Sequence, residues 1–455
     1  MIEKYYNGVI EQVYSKVGVL EENIVMACYS NDFSIWGLES IEEYSRNQDG
    51  VYFASHEYEH NTIVGAYEPF LDIICRMYRE KVGGDFGEFL ESCGVYYLQK
   101  DTLISYYETG ICTREESVLL NEAEYERGRM TEAITGMLRK LSESMPLVIV
   151  INRFQMASRS TIEVLNYLLN QPSARIGVVL GTNEMMLKQN SNSPEWNMLV
   201  EKLEDHSHVY HIGDAGRNRN HAARGVAKDN LDYDQMQQQL ANIIDLLDYE
   251  QATKYLLNIE HQIRFEDVKI SDKHQLKLYF LHVKAAILQR ELTKALELLE
   301  AVAHLNVPED EHEMKYKYAY YMGICNMYQG NLDVAQMYAK QAIEEAKLMN
   351  DERRVFKGEL LHTQAKMSGW YNIFFCVQDV VIEDSLIEKL LKYNHKNNLA
   401  HIYIYAYDNR PEVVAKAYRS EASLVYFSKG IALAKAIGND KQDIFLLYAC
   451  CIKFS

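Results

Sequence analysis

At 455 residues, with 48% apolar and 25% charged side chains, the chain has ordinary globular composition but is too long for one core, so about two or three domains are expected. Its formal charge of −18 argues against nucleic acid as the main partner, because duplex binding needs a basic footprint. The N-terminus (MIEKYYNGVIEQVY) has no signal-peptide core, and no apolar run is long enough to span a membrane, which points to the cytoplasm.

In chain order, Asn23 to Tyr29 reads as a strand, Ser34 to Arg46 as a helix, and Gly50 to His60 as a second strand. Helical patterns follow over Ala66 to Glu80, Phe86 to Gln99 and Arg127 to Ser144. Pro146 to Ile151 (PLVIVI) is a continuous apolar run, the mark of a strand buried on both faces of a parallel sheet. Thr161 to Asn170 is helical, Ile176 to Leu180 is another buried strand, and His208 to Ile212 a last one. Alternation of this kind predicts a three-layer α/β domain with a mainly parallel sheet over residues 1–216. Residues 217–232, rich in Gly, Asn and Ala and carrying Arg217, Arg219, Arg224 and Lys228, read as a linker.

From 233 to 455 only helical periodicity remains. Six prolines against 34 tyrosines suit long helices with large amphipathic packing surfaces. The segments starting at Ile343, Ile387 and Ile431 repeat every 44 residues, which predicts stacked helical hairpins, since one hairpin cannot bury its own apolar face. The chain stops at Ser455 inside what reads as the first helix of a further repeat, so a larger protein with an output domain is the expectation. The eight cysteines form no CxxC pair and predict reduced, mostly buried thiols.

Several motifs bear on chemistry. His56-Glu57-Tyr58-Glu59-His60 matches HExxH, but it falls on a strand pattern, where the two His are not one helical turn apart; the prediction is no metal, with a zinc hydrolase as a distant alternative. Gly83-Gly84-Asp85-Phe86 reads as a turn between helices. The clusters Tyr316, Tyr318, Tyr320, Tyr321 and Tyr403, Tyr405, Tyr407 suit inter-helix packing, or an exposed peptide groove.

The stretch Pro146 to Glu184 resembles the Walker B strand and sensor strand of the signal-transduction ATPases related to AAA proteins (the STAND class, MalT- and LuxR-type regulators). Phe154, Gln155, Met156, Ala157, Ser160, Leu165, Leu168, Gly181 and Thr182 follow the pattern, as does GAYEPFLDII from Gly65. The segment from Tyr316 resembles a tetratricopeptide repeat, with Gly323, Gly330, Ala335 and Ala342 at the spacing of its small residues. The resemblance implies a P-loop-NTPase-like domain followed by a tetratricopeptide-like array, a frequent arrangement in that class.

The catalytic positions depart from it. Asn152 and Arg153 stand where two acids would hold magnesium and polarise water. The phosphate loop is replaced by Ser30 to Gly37 (SNDFSIWG), with Trp36 in place of the lysine. The sensor strand runs through Thr182 into Asn183-Glu184, where the resemblance implies Arg. The expectation is therefore a non-catalytic regulator or scaffold of bacterial type, with no cofactor and a protein or peptide partner on the repeats. A nucleotide-binding switch with a non-standard site is the alternative, and a homo-oligomer remains open. By the tetratricopeptide register, Lys317, Tyr320, Met327 and Tyr328 would line the concave face.

Overall fold

The computed structural model describes residues 11, 24–29, 50–59, 62–114, 123–170, 175–182, 194–205, 209–211, 233–265, 270–305, 311–368, 384–400, 402 and 421–438. The expected helix over Ser34 to Arg46, the linker and the tyrosines beyond 402 lie outside them. Two compact units emerge: Met1–Val95 with Thr102–Cys112 and Glu124–Gln251, and Tyr96–Asp101 with Thr113–Ala123 and Ala252–Ser455.

The first unit holds a five-stranded, all-parallel sheet of β1 (Ile24–Tyr29), β2 (Tyr52–Glu57), β3 (Leu147–Asn152), β4 (Ile176–Thr182) and β5 (Val209–His211). Their order is β2-β3-β4-β1-β5. Every residue of β3 and β4 is buried, as their unbroken apolar runs require of central strands covered on both faces. On the edge strand β2, Tyr52 and Ala54 are buried while Phe53 and Ser55 are only half so.

The helices of this unit are α1 (Phe70–Met77), α2 (Phe86–Ser92), α3 (Tyr97–Thr109, its last eight residues), α4 (Ala123–Ser144), α5 (Arg159–Asn170), α6 (Pro194–Asp205) and α7 (Tyr233–Asp245). The Gly-Gly-Asp-Phe stretch is the expected turn: Gly83 and Gly84 have φ of 69° and 94°, and Asp85 Oδ1 caps α2 by accepting from the Glu88 amide at 3.1 Å. The single helix expected over Phe86 to Gln99 is two, because Gly94 turns left-handed at φ 71° after α2. Likewise α7, grouped by its periodicity with the repeats, packs in the α/β unit: Leu240, Ile243 and Ile244 are buried there, and the turn after it bonds to α5.

In the second unit α8 (Tyr249–Phe265) leads into α9 (Asp272–Leu288), α10 (Leu292–Ala303), α11 (His312–Tyr328), α12 (Leu332–Leu348), α13 (Glu352–Ser368), α14 (Asp384–Lys392) and α15 (Glu421–Ala436). α9, α11 and α13 start 40 residues apart, a shorter period than the sequence suggests. The 44-residue period belongs to α12, α14 and α15, in which Ile343, Ile387 and Ile431 each stand five residues before the helix end.

One turn geometry closes these helices. Leu247, Arg290, Gly330, Asn350, Asn394 and Gly438, each two residues past a helix end, all have positive φ between 54° and 83°. The next amide in the chain returns to the third carbonyl from the helix's end, as in Glu291 N to Ala286 O (2.9 Å) and Asn331 N to Asn326 O (2.9 Å), the pairing of a Schellman cap. Gly330 therefore serves the backbone and not helix–helix contact, contrary to the expectation from spacing; nothing lies within 4 Å of where its Cβ would be. Gly330→Ala should lower stability by about 1 kcal/mol through left-handed strain alone, read as a lower unfolding midpoint of the helical unit.

Gly323, Ala335 and Ala342 do mark close approach. On α12, Ala335, Ala339, Ala342 and Ala346 are fully buried at helical spacing. A Cβ on Gly323 of α11 would meet Leu361 Cδ2 at 2.8 Å and the Ala339 amide at 3.6 Å. A Cβ on Gly358 of α13 would meet Ile343 Cγ1 at 2.7 Å and the Ala339 carbonyl at 3.6 Å. Small residues are what let three helices pack this closely.

Candidate functional site: the carboxyl edge of the sheet

The order β2-β3-β4-β1-β5 has a reversal at its centre. From β1 the chain departs toward β2, while from β4 it passes over β1 to β5. In open parallel sheets such a reversal opens a crevice at the carboxyl ends of the strands, where ligands settle. Here those ends are Tyr29, Asn152 and Thr182.

Asn152 closes β3 at 2% exposure, and its Oδ1 has no hydrogen-bond partner among the described residues. Thr182, equally buried at the end of β4, donates from Oγ1 to Gln155 Oε1 at 3.3 Å. Gln155 belongs to the 3-10 turn Phe154–Met156 that follows β3, whose Phe154 ring packs 5.2 Å from Trp196. Asn152, Gln155 and Thr182 thus gather at one place. Ser30, Trp36, Gly37 and Asn183 lie outside the described residues.

Arg153 turns away from them. At φ 52° it enters the left-handed region, which sends its side chain toward β2. There Nη2 lies 3.0 Å from Glu57 Oε1 and Nη1 donates to the Tyr58 carbonyl at 3.2 Å. Its charge is matched by a carboxylate, so Arg153 is an edge clamp between β2 and β3 and not an unmatched charge facing a phosphate. Neither a neutral amide nor a paired guanidinium suits magnesium, which takes hard anionic oxygens; the donor set at the end of β3 does not fit that ion.

Beyond the 3-10 turn the chain is fastened by a buried polar cluster that the sequence pattern did not flag. Ser160 Oγ accepts from the Tyr67 amide at 2.9 Å and donates to Asp248 Oδ2 at 2.6 Å. Thr161 Oγ1 donates to the Glu68 carbonyl at 2.6 Å. Burial raises the pKa of Asp248, and the two bonds from Ser160 oppose that shift. Around this cluster Arg159 pairs with Glu163 (3.1 Å), Glu195 (2.7 Å) and Glu250, and Arg127 with Glu124 (2.9 Å). The only sequence signal was a Ser-Arg-Ser-Thr run at a helix start, which reads as ordinary capping.

His56 lies on β2, and His60 lies outside the described residues. Its Nε2 is 3.2 Å from Glu68 Oε1, without the alignment of a hydrogen bond, and its ring meets Tyr58 edge-on at 4.6 Å. Among the described residues no three His, Cys, Asp or Glu side chains converge as metal ligands. Burial holds the thiols of Cys75 and Cys325 up at about 12 and that of Cys93 at about 11, so none is a ready nucleophile.

The positions expected to line the concave face of the repeats differ in exposure and contacts. Lys317 pairs with Glu313 at 3.0 Å. Tyr320 is half-buried, stacked on Tyr316 at 5.6 Å and packed, like Val355 of α13, against the cluster of Tyr316, Ala319, Ala342 and Ala346. Met327 is half-buried and Tyr328 is 37% exposed. Tyr320 thus shares its ring between packing on Tyr316 and the surface. A cleft of about 1030 Å³ opens instead on another face of α11, where Met314, Lys315 and Tyr318 meet Val302 of α10 and Gln336 and Met337 of α12.

No family model matches the chain, and no curated protein matches it. Among solved structures it is similar to a signal transduction ATPase with numerous domains (STAND) protein with a tetratricopeptide repeat sensor from Pyrococcus horikoshii, at 13% identity and a TM-score of 0.40, over 96% of this chain and 78% of that one. No helix among the described residues is long and apolar enough to cross a membrane.

Proposed function

We propose that this chain is a non-catalytic regulatory protein: an α/β module on the plan of a phosphate-loop ATPase that no longer hydrolyses ATP, joined to a helical-hairpin array that binds a protein partner. It would act in the cytoplasm, in signalling or transcriptional control of bacterial type. The observation that carries this reading is the end of β3. There an amide, Asn152, and a guanidinium already committed to Glu57 stand where two carboxylates would be needed. Trp36 in place of a phosphate-binding lysine and the lost loop glycines agree with it.

The reversal in strand order supports the phosphate-loop plan, because β4 sits between β3 and β1, as a sensor strand between the metal-binding strand and the phosphate-loop strand would. The same crevice favours a second reading, a switch that binds nucleotide without turnover. On the array, the cleft beside Met337 combines apolar lining with charges of both signs, Lys315 and Lys340 against Asp333, Glu344 and Glu345, as a peptide groove does. Equilibrium titration with a fluorescent ATP analogue, with and without magnesium, separates the readings. The first expects no saturation at micromolar nucleotide and no effect of magnesium. Saturation at low micromolar concentration overturns it in favour of the switch.

A further inference from the structure

Beside the edge strand β2 lies a second cavity, of about 510 Å³, bounded by β2, α1 and the end of α3. This volume is in the range of small-molecule sites. Its polar lining is charged in both signs. Arg76 forms no ion pair among the described residues, and its charge acts on the Tyr52 hydroxyl and the His56 ring. Arg79 is held rigidly, donating to the Tyr107 carbonyl with its guanidinium carbon 4.6 Å from the centre of the Tyr107 ring. Asp72 is positioned by the Tyr106 hydroxyl at 2.6 Å, and Glu108 forms no ion pair among the described residues. His56 forms part of the wall, with its buried Nε2 turned to Glu68 Oε1 at 3.2 Å and not to the cavity.

Two guanidiniums and two carboxylates around one cavity select by charge. A simple anion would face Asp72 and Glu108, and a simple cation would face Arg76 and Arg79. A ligand carrying both signs a few bonds apart satisfies both sets, with its carboxylate on the arginines and its ammonium on the acids. We infer that this cavity is a binding site for a small zwitterion, an α-amino acid, with Arg76 and Arg79 receiving the carboxylate and Asp72 and Glu108 the ammonium. The site gives the α/β module a metabolite to sense that is independent of any nucleotide.

The test is a thermal-shift screen of the full chain against each standard L-amino acid and inorganic phosphate, followed by calorimetry on the best ligand. At least one amino acid is expected to raise the unfolding midpoint and to bind with Kd of about 1 mM or tighter. The deaminated acid and the decarboxylated amine of that ligand should each bind at least about tenfold more weakly. Arg76→Gln and Glu108→Gln, both surface changes that leave the circular dichroism spectrum intact, should each weaken binding by about tenfold. The inference is overturned if no amino acid binds. It is equally overturned if phosphate or the deaminated acid binds as well as the amino acid, or if both variants keep full affinity.

Discussion

Ala339→Leu should lower the unfolding midpoint of the helical unit by about 5–10 °C, a loss of about 3 kcal/mol. Ala339 is fully buried, and its backbone is approached from both sides, by Gly323 of α11 at its amide and by Gly358 of α13 at its carbonyl. The neighbouring side chains cannot withdraw, because Leu361 and Ile343 already lie where a Cβ on those glycines would go. A larger side chain must therefore push helices apart. The control is Met337→Ala, two residues away on the outward face at 46% exposure, which should change stability by no more than about 0.5 kcal/mol. Thermal melts followed at a helical wavelength decide it. Equal effects from the two substitutions would mean that α12 does not present its alanine stripe to both neighbours.

Acidification from pH 6.5 to pH 4 should destabilise the array by up to about 3 kcal/mol through one residue, His395. It is 1% exposed, its ring lies edge-on to Phe356 at 4.9 Å, and neither ring nitrogen has a partner among the described residues. Burial, assisted by Lys357 and Arg353, pushes its pKa down to about 4. The sign follows from linkage. In the unfolded chain the imidazole takes a proton near pH 6.5, while in the folded array it resists until about pH 4. The stability is complete above pH 6.5 and is lost as pH falls toward 4. His56 and His362, also lowered by burial, act with the same sign. His395→Leu isolates the effect: it should match the native chain or exceed it in stability at pH 7, since no hydrogen bond is lost, and should flatten the slope between pH 6.5 and 4. Denaturant titrations at a series of pH values measure both. An unchanged slope in the variant would show that His395 does not set the acid sensitivity.

Strand existence was legible because β3 and β4 are apolar throughout, and a run that short and unbroken, rich in Val and Ile, fits a strand covered on both faces. Helix punctuation was less so. Gly94 and Gly330 look alike as letters, yet one divides a helix pair and the other caps α11, and only φ separates these from a packing glycine such as Gly323. The open face of α11 was not legible at all. Tyr318, Tyr321 and Met322 pack against one apolar cluster and Tyr316, Ala319 and Tyr320 against another, so the helix is apolar nearly all round and its periodicity points nowhere. The departures at Asn152 and Arg153 were plain from residue type, because charge and ligand chemistry do not depend on coordinates. That Arg153 would bend back to Glu57 was not, since it rests on a left-handed turn that no side chain announces. The Ser160–Asp248 bond joins residues 88 positions apart, a separation beyond any local pattern.

The central claim is loss of ATP hydrolysis, and steady-state phosphate release from Mg-ATP by the highly purified chain tests it most directly. The native chain should match the protein-free control, and so should an Asn152→Asp/Arg153→Glu variant, because restoring two acids leaves the phosphate loop without its lysine and glycines. Magnesium-dependent phosphate release that stays with the protein through purification and falls on Asn152→Ala would contradict the account.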